Sequence, residues 1–250
     1  MKTNKLKIVY VLISATVGAL LFGTLVSGID PSLSVVATVL SFVTSLAITY
    51  GYSPREQRSM AMTCGAITNG ITLNCADPLS AGVVATFYIA NKADIASITY
   101  DPTNPMLATD ITMVATKTFF TVEGQLQSTE PSTAMVKGTY VNQFEHSVVF
   151  LIFKIDPDTK KQILNMKDGN FVCIIENNYV GTTGNCKYEI YGAGSGLKAE
   201  VIERNPSDAE TLGAFRVELK TQEYAREVKP PVALFDGTLA NTETLIQGLI

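Results

Sequence analysis

The sequence predicts a mainly β (α+β) protein, a β-sandwich or barrel with one flanking helix, preceded by a two-helix transmembrane-like hairpin. Three observations support this prediction. Two long uncharged segments lie within the first sixty residues, most later segments alternate apolar and polar residues or form short apolar runs, and one strong helix start stands near residue 156. We therefore expect a two-span helical hairpin and linker over residues 1–59 and a β-rich domain over residues 60–250.

The first part of the chain has two uncharged stretches, residues 8–29 and residues 32–53. About 20 apolar residues are enough for a helix to cross a bilayer, and Asp30-Pro31 stops the first helix. Cations flank the pair on both sides, at Lys2, Lys5, Lys7, Arg55 and Arg58. The positive-inside rule then places both ends in the cytoplasm, with the membrane as a partner through residues 8–53. A cleaved signal peptide and soluble helices buried between subunits are the alternatives.

Charge separates the two parts of the chain and excludes some functions. Residues 1–59 carry a net charge of +3 and residues 60–250 carry −7, which gives −4 overall. The acidic body has no basic stripe of the kind that binds phosphates, so sequence-specific nucleic-acid binding is not expected. The chain has one histidine, which argues against His-rich metal sites and against most imidazole catalysis.

The body begins after a Pro-marked linker at residues 52–58, and Met60 or Met62 would suit as its first residue. An Asn69-Gly70 turn signal lies within residues 67–74, and residues 94–100 read as helical or extended. We predict strands at residues 82–90, 107–116, 117–126, 135–145, 147–154, 171–176, 186–191, 199–204 and 214–221. Their spacing predicts a meander of β-hairpins.

One helix interrupts the strands. Asp156 is the N-cap candidate, Pro157 stands in the first turn, and residues 160–166 follow with Ile163 and Leu164 as the buried face. Asp168-Gly169 supplies the stop. A short terminal helix is also possible at residues 241–250.

Two segments are expected to lie partly outside the compact core. Residues 124–137 predict an extended hairpin with a mobile tip, and residues 230–250, which open with two prolines, predict an extended arm. In a monomer such arms leave unpaired strand edges, whereas in a ring the same edges pair with a neighbour. The sequence therefore predicts that deletion of residues 128–134 abolishes assembly and leaves the monomer folded.

No catalytic, cofactor-binding or metal-binding residues are predicted, and the protein is expected not to be an enzyme. The cluster Gly192-Ala193-Gly194-Ser195-Gly196 has the spacing G-x-G-x-G and precedes a strand, so it predicts a flexible hairpin loop rather than a phosphate loop. His146 stands beside Glu145 at the edge of a strand, without a nucleophile elbow, and is interpreted as a cross-strand or interface histidine. The carboxylate pairs Asp156/Asp158 and Asp208/Glu210 match no calcium loop.

Four cysteines, Cys64, Cys75, Cys173 and Cys186, lack any C-x-x-C spacing. A structural zinc is therefore not expected. In a cytoplasmic body reduced thiols are the default, although Cys173 and Cys186 could face one another across adjacent strands.

Six short motifs of the body stand in a recognisable order: N-C-x-D-P-L-x-x-G from residue 74, Y-I-A-N from 88, T-K-K-Q-I from 159, I-I-E-N-N-Y from 174, Y-G-A-G-S-G-L from 191 and D-A-E-T-L-G-A-F from 208. In this order the body, over about residues 62–250, resembles virion structural proteins of tailed phages, of the group similar to tail tube proteins. The resemblance implies a β-sandwich with one flanking helix that stacks as rings, whose strands join into a continuous inner barrel.

The resemblance also implies a function. It implies a homo-oligomeric ring or tube of a phage tail, contacts with other virion proteins, sequence-independent passage of DNA, and assembly in the host cytoplasm. A negative lumen would suit DNA passage, because an attractive wall would retain the polymer. The alternative is a membrane-anchored cytoplasmic protein whose β domain is a binding module. The two-span head departs from the family pattern, since tail tube subunits normally lack one.

Overall fold

The structure is a computed structural model of the chain, and it describes residues 67, 69–71, 75, 77–125 and 127–250. The predicted membrane hairpin at residues 8–53, the linker and Cys64 lie outside the described residues. Ile67 and residues 69–71 are exposed and belong to no strand. Among the described helices, none combines the length and the apolar character needed to cross a membrane.

The described part of the chain contains eleven strands, two α-helices and one short 3-10 helix, at Lys92–Asp94. The strands are β1 (Phe87–Asn91), β2 (Ile95–Tyr100), β3 (Leu107–Met113), β4 (Phe120–Val122), β5 (Thr129–Val136), β6 (Gln143–Ile152), β7 (Phe171–Glu176), β8 (Tyr188–Tyr191), β9 (Lys198–Arg204), β10 (Phe215–Lys220) and β11 (Val232–Leu234). The helices are α1 (Pro157–Met166) and α2 (Leu239–Leu249). The protein is mainly β, as predicted.

The strands form two sheets. The seven-stranded sheet has the order β2-β3-β11-β8-β7-β1-β4, and the four-stranded sheet has the order β5-β6-β10-β9. All pairs are antiparallel except β3 and β11, which are parallel. The predicted meander is therefore only partly correct, because β1 and β11 insert between strands that are distant in sequence.

Strand β7 shows that the seven-stranded sheet lies between α2 and the four-stranded sheet. Val172 and Ile174 belong to a cluster that includes Ile246 of α2. Cys173 belongs to a second cluster that includes Val148 of β6 in the four-stranded sheet. Since both of its faces are buried, the strand is a continuous apolar run rather than an alternating one, which is the pattern that predicted a buried strand at residues 171–176.

Helix α1 begins as predicted. The Asp156 side chain accepts a hydrogen bond from the Thr159 N–H at 2.8 Å and caps the helix. Hydrogen bonds from the Thr159 side chain, the Thr159 N–H and the Lys154 ammonium, in that order, lower the pKa of Asp156 to about 2. The predicted buried face is half wrong, because Ile163 is 6% exposed and Leu164 is 64% exposed. Consecutive helical residues diverge by about 100°, so a helix that rests one narrow face on the sheets buries only one of the two.

The C-terminal residues are not an extended arm, which corrects the prediction for residues 230–250. Strand β11 lies inside the seven-stranded sheet, between β3 and β8, and both Val232 and Leu234 are buried. The terminal helix is confirmed as α2, and it buries Ile246 and Leu249 against the same sheet. The two prolines precede β11, where they remove no ladder hydrogen bond. The described residues therefore have two α-helices, not one.

The prediction of a mobile tip within residues 124–137 is also wrong. Strand β5 pairs with β6 along its whole length, from Thr129 opposite Phe150 to Val136 opposite Gln143. The turn lies later, at residues 137–142, which the sequence had placed inside a strand. Because Ser128 and Thr129 are buried, removing residues 128–134 would delete a strand of the fold rather than a loose connector.

Candidate assembly surface

The two sheets have four edge strands, and three of them carry features that discourage pairing with another chain. Strand β4 has three residues, β2 has register irregularities at both ends, and β9 has a bulge at Glu200 and four charged residues. Short strands, bulges and charges are the usual protections of sheet edges. Strand β5 is different. It runs for eight regular residues, its protective residues Glu130 and Pro131 stand at its start, and residues 132–136 are uncharged.

The hydrogen bonds identify which backbone groups of β5 are open. Phe144 of β6 exchanges both of its backbone hydrogen bonds with Glu227, on the side away from β5. In an antiparallel pair alternate residues point their N–H and C=O groups to opposite sides. The residue opposite Phe144 is Met135, so Met135, and with it Thr133 and Pro131, directs its backbone groups to the free edge.

The distal half of β5 is also exposed on both faces. Thr133 and Met135 lie on the face toward the other sheet, Ser132 and Ala134 on the opposite face, and all four are exposed. Met135 is 57% exposed, although it is a large apolar side chain. An uncharged strand with open backbone groups and an exposed methionine is a template for a further strand.

The four-stranded sheet has one face toward the protein core and one face away from it, which we call its outer face. Its half-buried apolar residues Val149, Leu151 and Val201 belong to neither hydrophobic cluster. Ion pairs cross the strands of this face, from Lys220 to Glu145 at 3.0 Å and from Arg216 to Glu203 at 3.2 Å. This is a polar surface on which Ser147 is buried and most other side chains are half-buried or exposed.

The charges on this outer face are nearly balanced. The register places four carboxylates on it, Glu130, Glu145, Glu203 and Glu218, against three cations, Lys198, Arg216 and Lys220, and the charge of the bulge residue Glu200 also acts on Lys220 and raises its pKa, although less than that of Glu145. Arg226 beside the sheet approaches Glu145 at 4.0 Å and adds a fourth cation. The acidity of the body is therefore not concentrated on this face.

His146 lies inside β6 rather than at a strand edge, and it is 1% exposed. Its Nδ1 accepts the Gly192 N–H at 3.2 Å, and its Nε2 lies 3.1 Å from the Lys229 carbonyl oxygen. Burial lowers the pKa of His146, and the negative charge of Glu227 opposes this. The imidazole ring therefore links β6 to the segments that follow β8 and precede β11.

The glycine cluster connects β8 to β9, so it crosses between the two sheets and is not a hairpin loop. Buried Glu227 holds it, since its carboxylate accepts the N–H groups of Gly194 at 3.0 Å and Ser195 at 2.7 Å. A Cβ on Gly194 would lie 2.5 Å from Glu227 Oε2, which explains a glycine there. Sequence reasoning missed Glu227, because no local pattern distinguishes a glutamate that folds back onto a distant loop.

The carboxylate pairs have structural roles. Asp156 caps α1, and Asp208 accepts hydrogen bonds from the Thr211 hydroxyl at 2.8 Å and the Glu210 N–H at 3.0 Å. Those bonds, the hydroxyl first, lower the pKa of Asp208. Among the described residues no cluster of three or more His, Cys, Asp or Glu side chains is placed to hold a metal ion.

The three described cysteines, Cys75, Cys173 and Cys186, are free. Cys173 is opposite Tyr191 and is completely buried, which raises the pKa of its thiol. Cys186 precedes β8 in a loop. The two residues that could have faced one another across strands therefore do not form a pair.

A groove of about 810 Å³ lies between β4 and α1. Ile89, Val122 and Met166 supply apolar lining, and Gln162 and Asn165 of α1 add two carboxamides. This volume is in the range of small-molecule sites.

Comparisons with protein-family models, with curated proteins and with solved structures find no match for this chain.

Proposed function

We propose that this protein is a structural subunit of a phage tail that assembles head to tail into rings and a tube, without catalysis. The observation that carries the proposal is the regular edge strand β5, which is uncharged over residues 132–136 and whose outward backbone groups are open. An edge of this kind is a liability in a monomer and an interface in an assembly.

The strand count of the smaller sheet suits a closed ring. Its four strands are antiparallel, so the two edge strands β5 and β9 run in opposite directions. When β5 of one copy pairs with β9 of the next, the new pair is also antiparallel, and the bulge and charges that protect the β9 edge in a monomer lie within the interface. Repetition around an axis then closes one continuous barrel, which is the inner barrel that the sequence resemblance implies for rings of β-sandwich subunits.

The outer face of the four-stranded sheet would line such a barrel. With its charges nearly balanced, that wall neither holds nor repels a polyanion strongly. We propose it as the surface along which DNA passes without sequence recognition, in a tail assembled in the host cytoplasm with other virion proteins.

Two proline substitutions test the head-to-tail interface. Thr133→Pro removes an open N–H from the free edge of β5. Ala199→Pro does the same in β9: Lys198 directs its backbone N–H and C=O to Lys220 of β10, so the next residue, Ala199, directs its own to the free edge. Circular dichroism checks that each variant is folded. Sedimentation then follows each variant alone and the equimolar mixture.

The proposal predicts that neither variant assembles alone and that the mixture forms dimers, because each variant keeps one complementary edge. Dimers of Ala199→Pro alone would instead show two-fold pairing of β5 with β5. Assembly of Thr133→Pro as large as that of the wild type would exclude β5 as the interface. A wild-type chain that stays monomeric would favour the alternative, an anchored binding module.

A further inference from the structure

Lys92 and Asn170 face each other at the ends of the adjacent strands β1 and β7 of the larger sheet. Asn91 pairs with Phe171, and one step further the Lys92 N–H donates to the Asn170 carbonyl oxygen at 2.8 Å. Residues directly opposite each other in an antiparallel pair have Cβ atoms about 4.5–5.5 Å apart and side chains on one face. The amine and the carboxamide therefore start from adjacent positions.

Both side chains reach the same loop, residues 192–196. The Lys92 ammonium donates to the Ala193 carbonyl oxygen, and the Asn170 Nδ2 donates to the Ser195 carbonyl oxygen at 3.1 Å. A Cβ on Gly196 would lie 2.1 Å from Asn170 Oδ1, so only glycine lets the loop approach the carboxamide this closely. Both Lys92 and Asn170 are half-buried.

The environment of the Asn170 carboxamide oxygen is unusual. Asn170 Oδ1 is buried and has no hydrogen-bond partner among the described residues. Buried polar atoms are nearly always paired, so an unpaired one calls for an explanation. One explanation is that this carboxamide is a reactant.

A third group completes the arrangement. Glu227, which is 5% exposed, binds the same loop through Gly194 and Ser195. Burial lowers the pKa of Lys92, and the charge of Glu227 opposes that effect. The amine and the carboxylate bind neighbouring residues of one loop, Ala193 on one side and Gly194 and Ser195 on the other, and a carboxylate that takes up the proton of an amine leaves that amine nucleophilic.

We propose that Lys92 and Asn170 join through an intramolecular isopeptide bond, with Glu227 as the proton carrier. The Nζ lone pair attacks Cγ of Asn170, the Cγ–Nδ2 bond breaks, and ammonia leaves. Glu227 takes a proton from Nζ and delivers it to the departing nitrogen, so its carboxylate is regenerated. No oxidant, metal or cofactor takes part, and each chain reacts once.

The bond would join β1 to β7 covalently. These strands lie side by side in the sheet that carries both hydrophobic clusters, so the link would resist separation of the core under heat or force. A covalent link between distant parts of a chain stabilises mainly by restricting the unfolded state. The proposal does not depend on assembly.

Mass spectrometry of the purified full chain tests the proposal. After denaturation, the intact mass should be lower than the sequence mass by one ammonia molecule, and a tryptic digest should contain a branched peptide joining the Lys92 and Asn170 segments. Lys92→Arg and Glu227→Gln should each restore the full mass. Asn170→Asp should lose one water molecule instead of ammonia.

Two controls make the result specific. Lys187→Arg and Asn177→Asp alter residues of the same types elsewhere in the larger sheet region and should keep the ammonia deficit. Circular dichroism checks the fold of each variant, and if Glu227→Gln fails to fold, Lys92→Arg and the branched peptide decide. A folded wild-type chain with the full sequence mass would overturn the proposal. So would a deficit that persists in Lys92→Arg.

Discussion

The Nδ1 atom of His146 accepts a hydrogen bond from the Gly192 N–H at 3.2 Å, which ties β6 of the smaller sheet to the loop that follows β8 of the larger one. Because Nδ1 accepts, the proton of the neutral ring is on Nε2, which donates to the Lys229 carbonyl oxygen. Tyr191 packs edge-on against the ring, with centroids 5.6 Å apart. The neutral imidazole therefore joins three segments of the chain.

This contact predicts a loss of stability in acid. Burial holds the pKa of His146 below its ordinary value of 6.5, although the Glu227 charge opposes this. The unfolded chain therefore takes up a proton before the folded one as the pH falls. The free energy of unfolding should be full above about pH 6.5 and should decrease below it, as measured by urea denaturation.

His146→Asn is the matched variant, because its carboxamide oxygen can accept the Gly192 N–H and carries no titrating proton. Since the chain has one histidine, this variant has no imidazole at all. Its unfolding free energy should change little over the pH range just below 6.5. Equal pH dependence in wild type and variant would show that His146 is not the cause.

Adjacent residues of β5 should respond differently to proline. Thr133 directs its N–H to the free edge, whereas Ala134, opposite Glu145, directs its N–H to β6. Thr133→Pro should leave the stability of the monomer nearly unchanged, and Ala134→Pro should cost roughly 1–3 kcal/mol through a lost ladder bond. Chemical denaturation under conditions without assembly measures both. The reverse order would invert the assignment of the free edge.

Consecutive residues of α1 provide a second contrast. Ile163 is 6% exposed and Leu164 is 64% exposed. Ile163→Ala should lower the free energy of unfolding by about 2–4 kcal/mol, because it removes buried methyl groups and leaves a cavity. Leu164→Ala should stay within about 0.5 kcal/mol of the wild type. Similar costs at both positions would contradict the observed orientation of the helix.

The sequence could predict the features that depend on neighbouring residues. The Asp156 cap is visible because its donor, Thr159, is three residues away, and β7 is visible because both faces of one strand are buried. Helical periodicity alone could not choose between Ile163 and Leu164. That choice depends on how the sheets approach the helix.

The candidate sites depend on distant parts of the chain and could not be predicted in this way. Glu227 contacts a loop more than thirty residues earlier, and β11 inserts beside β3, which is more than a hundred residues away. Local composition made residues 230–250 look like an arm, because prolines at their start conceal a short strand that only its neighbours complete. The open edge of β5 likewise appears only once its partner β6 is known.

Negative-stain electron microscopy of residues 62–250, beside the same segment carrying Thr133→Pro, tests the central claim of head-to-tail assembly most directly. We expect rings or stacked tubes with an open lumen for the first protein and single particles for the second. Monomers of the unsubstituted segment at every concentration, or tubes that Thr133→Pro leaves unchanged, would contradict the claim.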